Sequence, residues 1–310
     1  MGMWRTAGAM ALALVMGACS GPPRSVPPPA PPVTDRLPAA TEITYPVGVR
    51  LVHLRRGPQR PLPTLVFYPA VRPPWATAAG RPTAAVRSGA RPGLPPAPGR
   101  FPLVLFSHGL TGSPKRYAAI LTRWAAAGFV IAAPTYPYTS EFTAHFRRGD
   151  IVHQPADAGY VLDRIRALDR RPRDPLRGHI DGDRVAAVGH SAGGYTTSGL
   201  FRAGHDPRLR AGVIMAGWRA PGAFAGPPAT MLFLQGTADP VVPVAVSRAA
   251  YERVPWPKRY VLLRHNSHAT YLRPGDPGYR RVSALVIAFL RETLGSGIVA
   301  TRPPTPSFGK

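Results

Sequence analysis

The chain has 310 residues, 45% of them hydrophobic, so one large domain can build a sizeable core; 40 prolines and 32 glycines belong in loops and tails instead. The formal net charge of +24 is carried mainly by dispersed arginines, without a long basic run, a zinc finger or an RNA-binding motif, which reads as a solvated surface and excludes a nucleic-acid partner. The single cysteine, Cys19, excludes an intrachain disulfide and a thiolate metal cluster.

At the N-terminus, Arg5 precedes a short apolar stretch at 7–15, and the small residues Gly17 and Ala18 lead to Cys19. This pattern predicts a secretory signal over 1–19, too short in its apolar part to span a bilayer. The small-small-Cys ending resembles the lipobox of bacterial lipoproteins, with Met16 where Leu or Val is usual. The expectation is an exported chain, either a cell-surface lipoprotein anchored through a lipidated Cys19 or a secreted protein. Residues 20–40 are Pro-rich and predict an extended tether. A globular domain is expected over 41–296, followed by a flexible tail at 297–310.

Two strands are predicted at 47–54 and 62–68, joined by a turn around Gly57-Pro58. Residues 71–100 lack periodicity and read as a long Pro/Arg-rich surface loop. From there the pattern is regular. Apolar strands at 103–107, 129–133, 184–188, 209–216, 230–235 and 259–263 alternate with helices at 115–127, 150–168, 192–201, 244–254 and 279–294. Nearly continuous apolar strands alternating with helices predict an α/β fold: a mostly parallel sheet with helices on both faces. The first two strands have no helix between them and are expected to form an antiparallel N-terminal edge.

The strand at 184–188 runs into Gly189-His190-Ser191-Ala192-Gly193, and a helix follows. A G-x-S-x-G run between a buried strand and a helix predicts a tight, strained turn that presents the serine hydroxyl. Glycines flank it because a Cβ there would clash with neighbouring elements. The helix N-terminus favours negative charge developing beside Ser191. A serine there can instead simply cap the helix. As a nucleophile it needs a base, and the base needs an orienting acid.

In such a fold the acid and then the histidine follow the serine in the chain. Asp239 directly follows the strand at 230–235, at the rim where strand ends converge. Asp206 reads as a turn before Pro207, and Glu252 lies on a helix face. His265 and His268 both follow the last strand; His268, further into its loop, is the favoured base and His265 the alternative. The other histidines show no metal-ligand spacing. The backbone amides of Ala192 and of Leu110, in His108-Gly109-Leu110-Thr111-Gly112, are the expected oxyanion donors.

Residues 104–134, with Ser-His-Gly-Leu-Thr-Gly and Ala-Ala-Gly-Phe-Val-Ile-Ala-Ala-Pro, resemble the α/β-hydrolase superfamily. The resemblance is to the branch of dienelactone-hydrolase-like proteins, platelet-activating-factor acetylhydrolases and cutinase-like polyester hydrolases. It extends over about 45–295 through Tyr45-Pro46-Val47-Gly48-Val49-Arg50, the 62–70 strand and Gln154-Pro155-Ala156-Asp157. It implies Ser191 as nucleophile, Asp239 as acid, His268 as base, and Leu110 and Ala192 as oxyanion donors. It also implies Trp218 as an aromatic substrate contact, where a buried strand-end tryptophan is the competing reading. Two departures stand out: Tyr195 replaces a third glycine after the motif and could narrow the helix–sheet contact, and the C-terminal cysteine pair of many relatives is absent. A serine in place of cysteine sets the chain apart from dienelactone hydrolases proper.

The resulting expectation is a serine carboxylic-ester hydrolase, monomeric, with no cofactor and no metal. No lid insertion follows the nucleophile helix, so the site should be open and suit short or medium acyl esters or extended polyesters. A serine peptidase or acyltransferase on the same fold, and a non-catalytic wall-associated lipoprotein, are the alternatives.

Overall fold

The computed structural model describes residues 45–71 and 89–295. Cys19 and the signal-like segment, the 20–40 stretch, residues 72–88 of the long loop and the 297–310 tail lie outside the described residues. The elements run β1 (Val47–Arg55), β2 (Pro61–Pro69), β3 (Ala90–Pro92), β4 (Phe101–Ser107), α1 (Ala118–Ala126), β5 (Val130–Pro134), α2 (Gln154–Leu168), β6 (Ile180–His190), α3 (Ala192–Leu200), β7 (Leu209–Met215), β8 (Thr230–Gly236), α4 (Val244–Glu252), β9 (Lys258–Leu263) and α5 (Tyr279–Leu294).

The strands form one sheet in the order β3-β1-β2-β5-β4-β6-β7-β8-β9. Only β2 runs against its neighbours, β1 and β5; the other pairings are parallel. Alternate side chains feed two cores. Val104 and Phe106 of β4, with Ala186 and Val188 of β6, pack against Trp124 of α1 and Val286 and Leu290 of α5. Leu103 and Leu105, with Val185 and Ala187, pack against Ala158, Val161 and Ile165 of α2. Burial on both faces is why these strands read as continuous apolar runs rather than alternating ones. No helix among the described residues is long and apolar enough to cross a membrane.

The structure differs from the sequence reading in three places. The 71–100 stretch is not all loop: Ala90–Pro92 pairs in parallel with Val47–Val49, and Leu94 and Ala97 are buried. That places β3, not the β1–β2 hairpin, at the edge. Strand β6 starts earlier than Arg184: Ile180 and Asp181 pair with Phe101 and Pro102 before the register shifts across Gly182–Arg184. An Asp-Gly-Asp run looks like a turn but here is a bulge, held by Arg184 Nε donating to Asp181 Oδ2 at 2.6 Å. The helices expected at 115 and 150 begin as 3₁₀ segments, Pro114–Tyr117 and Arg148–His153, before α1 and α2. Ile151, inside the second of these 3₁₀ segments, is only half-buried.

Because β4 to β9 are parallel to one another, their carboxyl ends lie along one rim. The loops leaving that rim carry His108–Gly112, Ser191, Trp218, Asp239 and His268.

Candidate active site

Strand β6 passes into α3 through a single strained residue. Ser191 has φ 57° and ψ −122°, a left-handed backbone that few non-glycine residues adopt. The turn is held by Ser191 N–H donating to Met215 O at 2.9 Å. A Cβ on Gly189 would collide with the Gly193 carbonyl, and a Cβ on Gly193 with Ser107 O. The spacing of the motif is therefore steric. Ser191 occupies the N-cap position of α3, yet its hydroxyl makes no cap hydrogen bond. With no cap bond to make, the hydroxyl is left for other work.

Asp239 and His268 meet across two loops that brace one another. Ala238 N–H donates to Asn266 O at 3.0 Å, and His265 N–H to Thr237 Oγ1 at 3.0 Å. Gly236 is required beneath them, since a Cβ would run into Asn266 O. Asp239 Oδ2 lies 2.8 Å from His268 Nδ1. Its Oδ1 accepts the Val241 and Val242 amides at 2.8 and 2.9 Å, and Gln235 Nε2 donates to Oδ2 at 3.1 Å. Burial works to raise the Asp239 pKa, but the Val242 amide, the His268 ring and the Val241 amide outweigh it and hold the pKa below the ordinary aspartate value. The carboxylate stays ionised, and His268 Nδ1 must present its proton to it, leaving Nε2 as the ring's free acceptor. Asp239 bonds His268 and not His265, whose backbone is left-handed (φ 60°) and whose side chain is exposed.

The His108–Gly112 loop packs directly on this turn: a Cβ on Gly109 would lie 3.1 Å from Ser191 Cβ. His108 is fully buried, and Tyr136 N–H donates to its Nε2 at 3.2 Å. Its other nitrogen, Nδ1, therefore carries the proton and donates to Gly109 O at 2.7 Å. Burial lowers the His108 pKa to about 4, so the ring is neutral. That carbonyl shares a planar peptide with the Leu110 N–H, so His108 fixes the plane of that amide. Neither Leu110 nor Ala192 donates its amide to a backbone carbonyl among the described residues. A second brace comes from the loop after β5. Thr111 N–H donates to Thr139 O at 2.7 Å, Gln154 Nε2 to Thr139 Oγ1 at 2.7 Å, and Thr196 Oγ1 to Gln154 Oε1 at 2.6 Å. Gln154 thereby links the 108–112 loop to α3.

Trp218 follows β7 and is half-buried, its ring 5.8 Å from that of Tyr195. Tyr195 does not set the helix–sheet spacing. That contact is made by Gly194 and Gly217, where a Cβ on Gly217 would meet Gly194 Cα at 2.9 Å. Tyr195 instead packs beside Trp218. Among the described residues, no group of three or more His, Cys, Asp or Glu side chains is placed to hold a metal ion.

Sequence reasoning did not single out His108, Tyr117, Gln154, His190, Thr196 or Gln235 as part of the site. The available signal was polarity in the wrong place: His190 and Gln235 end apolar strands and are 4% and 0% exposed. A buried polar group at a strand end needs partners: Gln235 finds them in the loop that follows it, and His190 finds them on Tyr117 and His268, far away in the chain.

Residues 58–294 match the PET hydrolase-like family. The chain is also 26% identical over 162 residues to a platelet-activating factor acetylhydrolase of Canis lupus familiaris and 25% identical over 162 residues to that of Bos taurus. Each match covers 39% of this chain and 36% of the relative, so the chain spans about a third of the length of the curated relatives it matches. The family match covers most of the described fold and all of the rim residues above, and the chain belongs to the PET hydrolase-like family of α/β-hydrolases.

Proposed function

We propose that the chain is an exported serine carboxylic-ester hydrolase that works through an acyl-enzyme on Ser191. Ser191 Oγ attacks the ester carbonyl while His268 Nε2 takes its proton. The alkoxide leaves with that proton, water attacks the acyl-enzyme with His268 again as base, and His268 returns the water's proton to Ser191 Oγ as the acid product departs. Asp239 holds the imidazole, and the Leu110 and Ala192 amides take the tetrahedral oxyanion. The observation that carries this reading is the 2.8 Å contact between Asp239 and His268 on the rim that also bears the strained, uncapped Ser191. Family membership supports the ester class.

The substrate proposed is a short or medium acyl ester or an extended polyester. Residues 201–208 alone join α3 to β7, which supports an open site. Phe142 and Phe146, 60% and 47% exposed on the loop paired with Thr111, and the half-buried Trp218 offer apolar contacts beside it. Export and anchoring through a lipidated Cys19 are proposed from the N-terminal pattern, and a C19A variant that stays membrane-bound and takes up labelled palmitate would remove that part. For the chemistry, a fluorophosphonate probe should add covalently to Ser191; an active protein left unmodified there would sink the mechanism. Turnover of nitrophenyl esters from acetate to laurate, beside release of acid from a polyester film, assigns the acyl class.

A further inference from the structure

His190 sits inside the nucleophile motif, 4% exposed, with a partner on each ring nitrogen. Its Nε2 lies 2.8 Å from His268 O, a carbonyl that can only accept, so Nε2 carries a proton. Burial, with the neighbouring His268, lowers the His190 pKa to about 3, so the ring is neutral and Nδ1 is an acceptor. The Tyr117 hydroxyl, 3.0 Å away, therefore donates to Nδ1. The same hydroxyl oxygen accepts the Gly109 amide at 3.3 Å. Every hydrogen bond in this chain points the same way, from Gly109 N–H through Tyr117 and His190 to the His268 carbonyl.

We infer that Tyr117 and His190 are positioning residues that lock the loop bearing the Leu110 amide and the loop bearing His268 onto the Ser191 turn. The inference rests on the acyl-enzyme reading above. A histidine buried merely as packing would be satisfied by its own element. Here one partner, Tyr117, ends the 3₁₀ segment after the 108–112 loop and holds the Gly109 amide of that loop, while the other, the His268 carbonyl, lies on the loop after β9, so each side carries one half of the candidate machinery. An apolar residue of similar volume would fill the space but leave the Tyr117 hydroxyl and the His268 carbonyl without these partners. Neither side chain is assigned a proton-transfer step: His190 is neutral and committed at both nitrogens. Tyr117 is 7% exposed and packs its ring on Phe106 at 4.8 Å, so Tyr117→Phe removes one hydroxyl and leaves the ring contact.

The test uses the full chain and three variants, Y117F, H190L and H190Q, with kcat and KM on nitrophenyl acetate and the second-order rate of fluorophosphonate labelling. We expect kcat to fall about tenfold in Y117F and about thirtyfold in H190L, with KM within about threefold of wild type. The labelling rate should fall in step, since phosphonylation draws on the same oxyanion and base groups. H190Q keeps an amide donor toward His268 O and should recover to within about threefold of wild type. Wild-type kcat in Y117F and H190L, or a change in KM alone, overturns the inference. So does an H190Q variant as impaired as H190L. If H190L does not fold, Y117F decides by the same measures. A wild-type protein that resists labelling overturns the Ser191 reading itself, and the inference with it; variants labelled as fast as a labelled wild type overturn the brace alone.

Discussion

Two polar clusters along the carboxyl-end rim use opposite chemistry. Where the β1–β2 turn meets α2, Arg60 bridges Asp150 at 2.8 Å and Asp157, and Arg56 Nε reaches Asp157 Oδ1 at 2.6 Å. Hydrogen bonds donated to Asp157 and then to Asp150 raise the Arg60 pKa beyond its usual high value. Around Ser191 the linking groups are neutral instead: two histidines held uncharged by burial, two tyrosine hydroxyls and backbone amides. Asp157 has a fully buried side chain, so its charge is held by two guanidinium groups and exists to join a hairpin to a helix. A fixed charge at the Ser191 turn would instead bias any charge that develops there. Neutral donors orient without that bias, and Asp239 with His268 is left as the ionisable pair.

The comparison breaks if Asp239 substitutions act mainly on stability or substitutions in the arginine–aspartate cluster act on chemistry. The largest effect should come from Asp239→Asn. Its loss of charge lets His268 turn over or change tautomer, and we expect kcat to fall about 10⁴-fold. Its thermal midpoint should stay near wild type, because an amide oxygen still accepts the Val241 and Val242 amides. A fall of less than tenfold, measured on nitrophenyl acetate, would mean that Asp239 does not orient the base.

Asp157→Ala should do the reverse. Removing one carboxylate leaves Arg56 without its Asp157 partner and Arg60 with Asp150 alone, a loss of about 3–5 kcal/mol for a broken buried pair. For a domain of this size that lowers the midpoint by about 10 °C. The kcat of the folded fraction, normalised to Ser191 labelling, should stay within twofold of wild type. A large drop in normalised kcat with an unchanged melting curve would reverse the assignment of the two clusters.

The neutral histidines also give the rim a pH signature. Their folded pKa values, about 4 for His108 and about 3 for His190, lie below the ordinary value of about 6.5. Above pH 6.5 both folded and unfolded chains hold them neutral, so they add no pH dependence. Below it the unfolded chain binds protons that the folded chain refuses, and stability falls. The loss runs down to about pH 4 for His108 and about pH 3 for His190. Each histidine should remove about 2–3 kcal/mol between pH 6.5 and 4.5. Urea midpoints at pH 7, 5.5 and 4.5 read this directly, and His190→Gln should flatten the curve by about half. A wild-type midpoint that does not move over this range would show that these rings are not held neutral.

The same contrast explains what could be read from the sequence. The sheet was legible because β4 to β8 are buried on both faces, so their apolar runs are continuous and their helices carry one apolar face. Strand β3 was not: three residues including Arg91 and Pro92 carry no periodicity, and only β1 makes them a strand. In the candidate site, the Asp239–His268 contact was legible because chain order and strand ends confine the choices. The braces were not, because they are long-range and have no fixed spacing. Tyr117 and His190 are 73 residues apart, and Gln154 and Thr196 are 42 apart. A hydrogen bond across such a separation leaves no local pattern; of these four, only His190 shows a sign, a polar residue where the strand pattern asks for an apolar one.

The smallest effect should come from a charged pair outside both clusters. Arg259 of β9 bonds Glu292 of α5 in a forked arrangement, Nη1 to Oε2 at 2.7 Å, much like Arg60 with Asp150. The geometry is as good, but the two side chains are 50% and 55% exposed against 15% and 7% in the buried pair. Water already solvates both ions, and salt screens what remains, so Arg259→Ala should cost less than about 1 kcal/mol. Raising the salt concentration should shrink even that, while the Asp157→Ala deficit persists because the lost carboxylate is fully buried. Should Arg259→Ala lower the midpoint as far as Asp157→Ala, burial would not be what separates the two, and the fork geometry itself would be the source of stability in both.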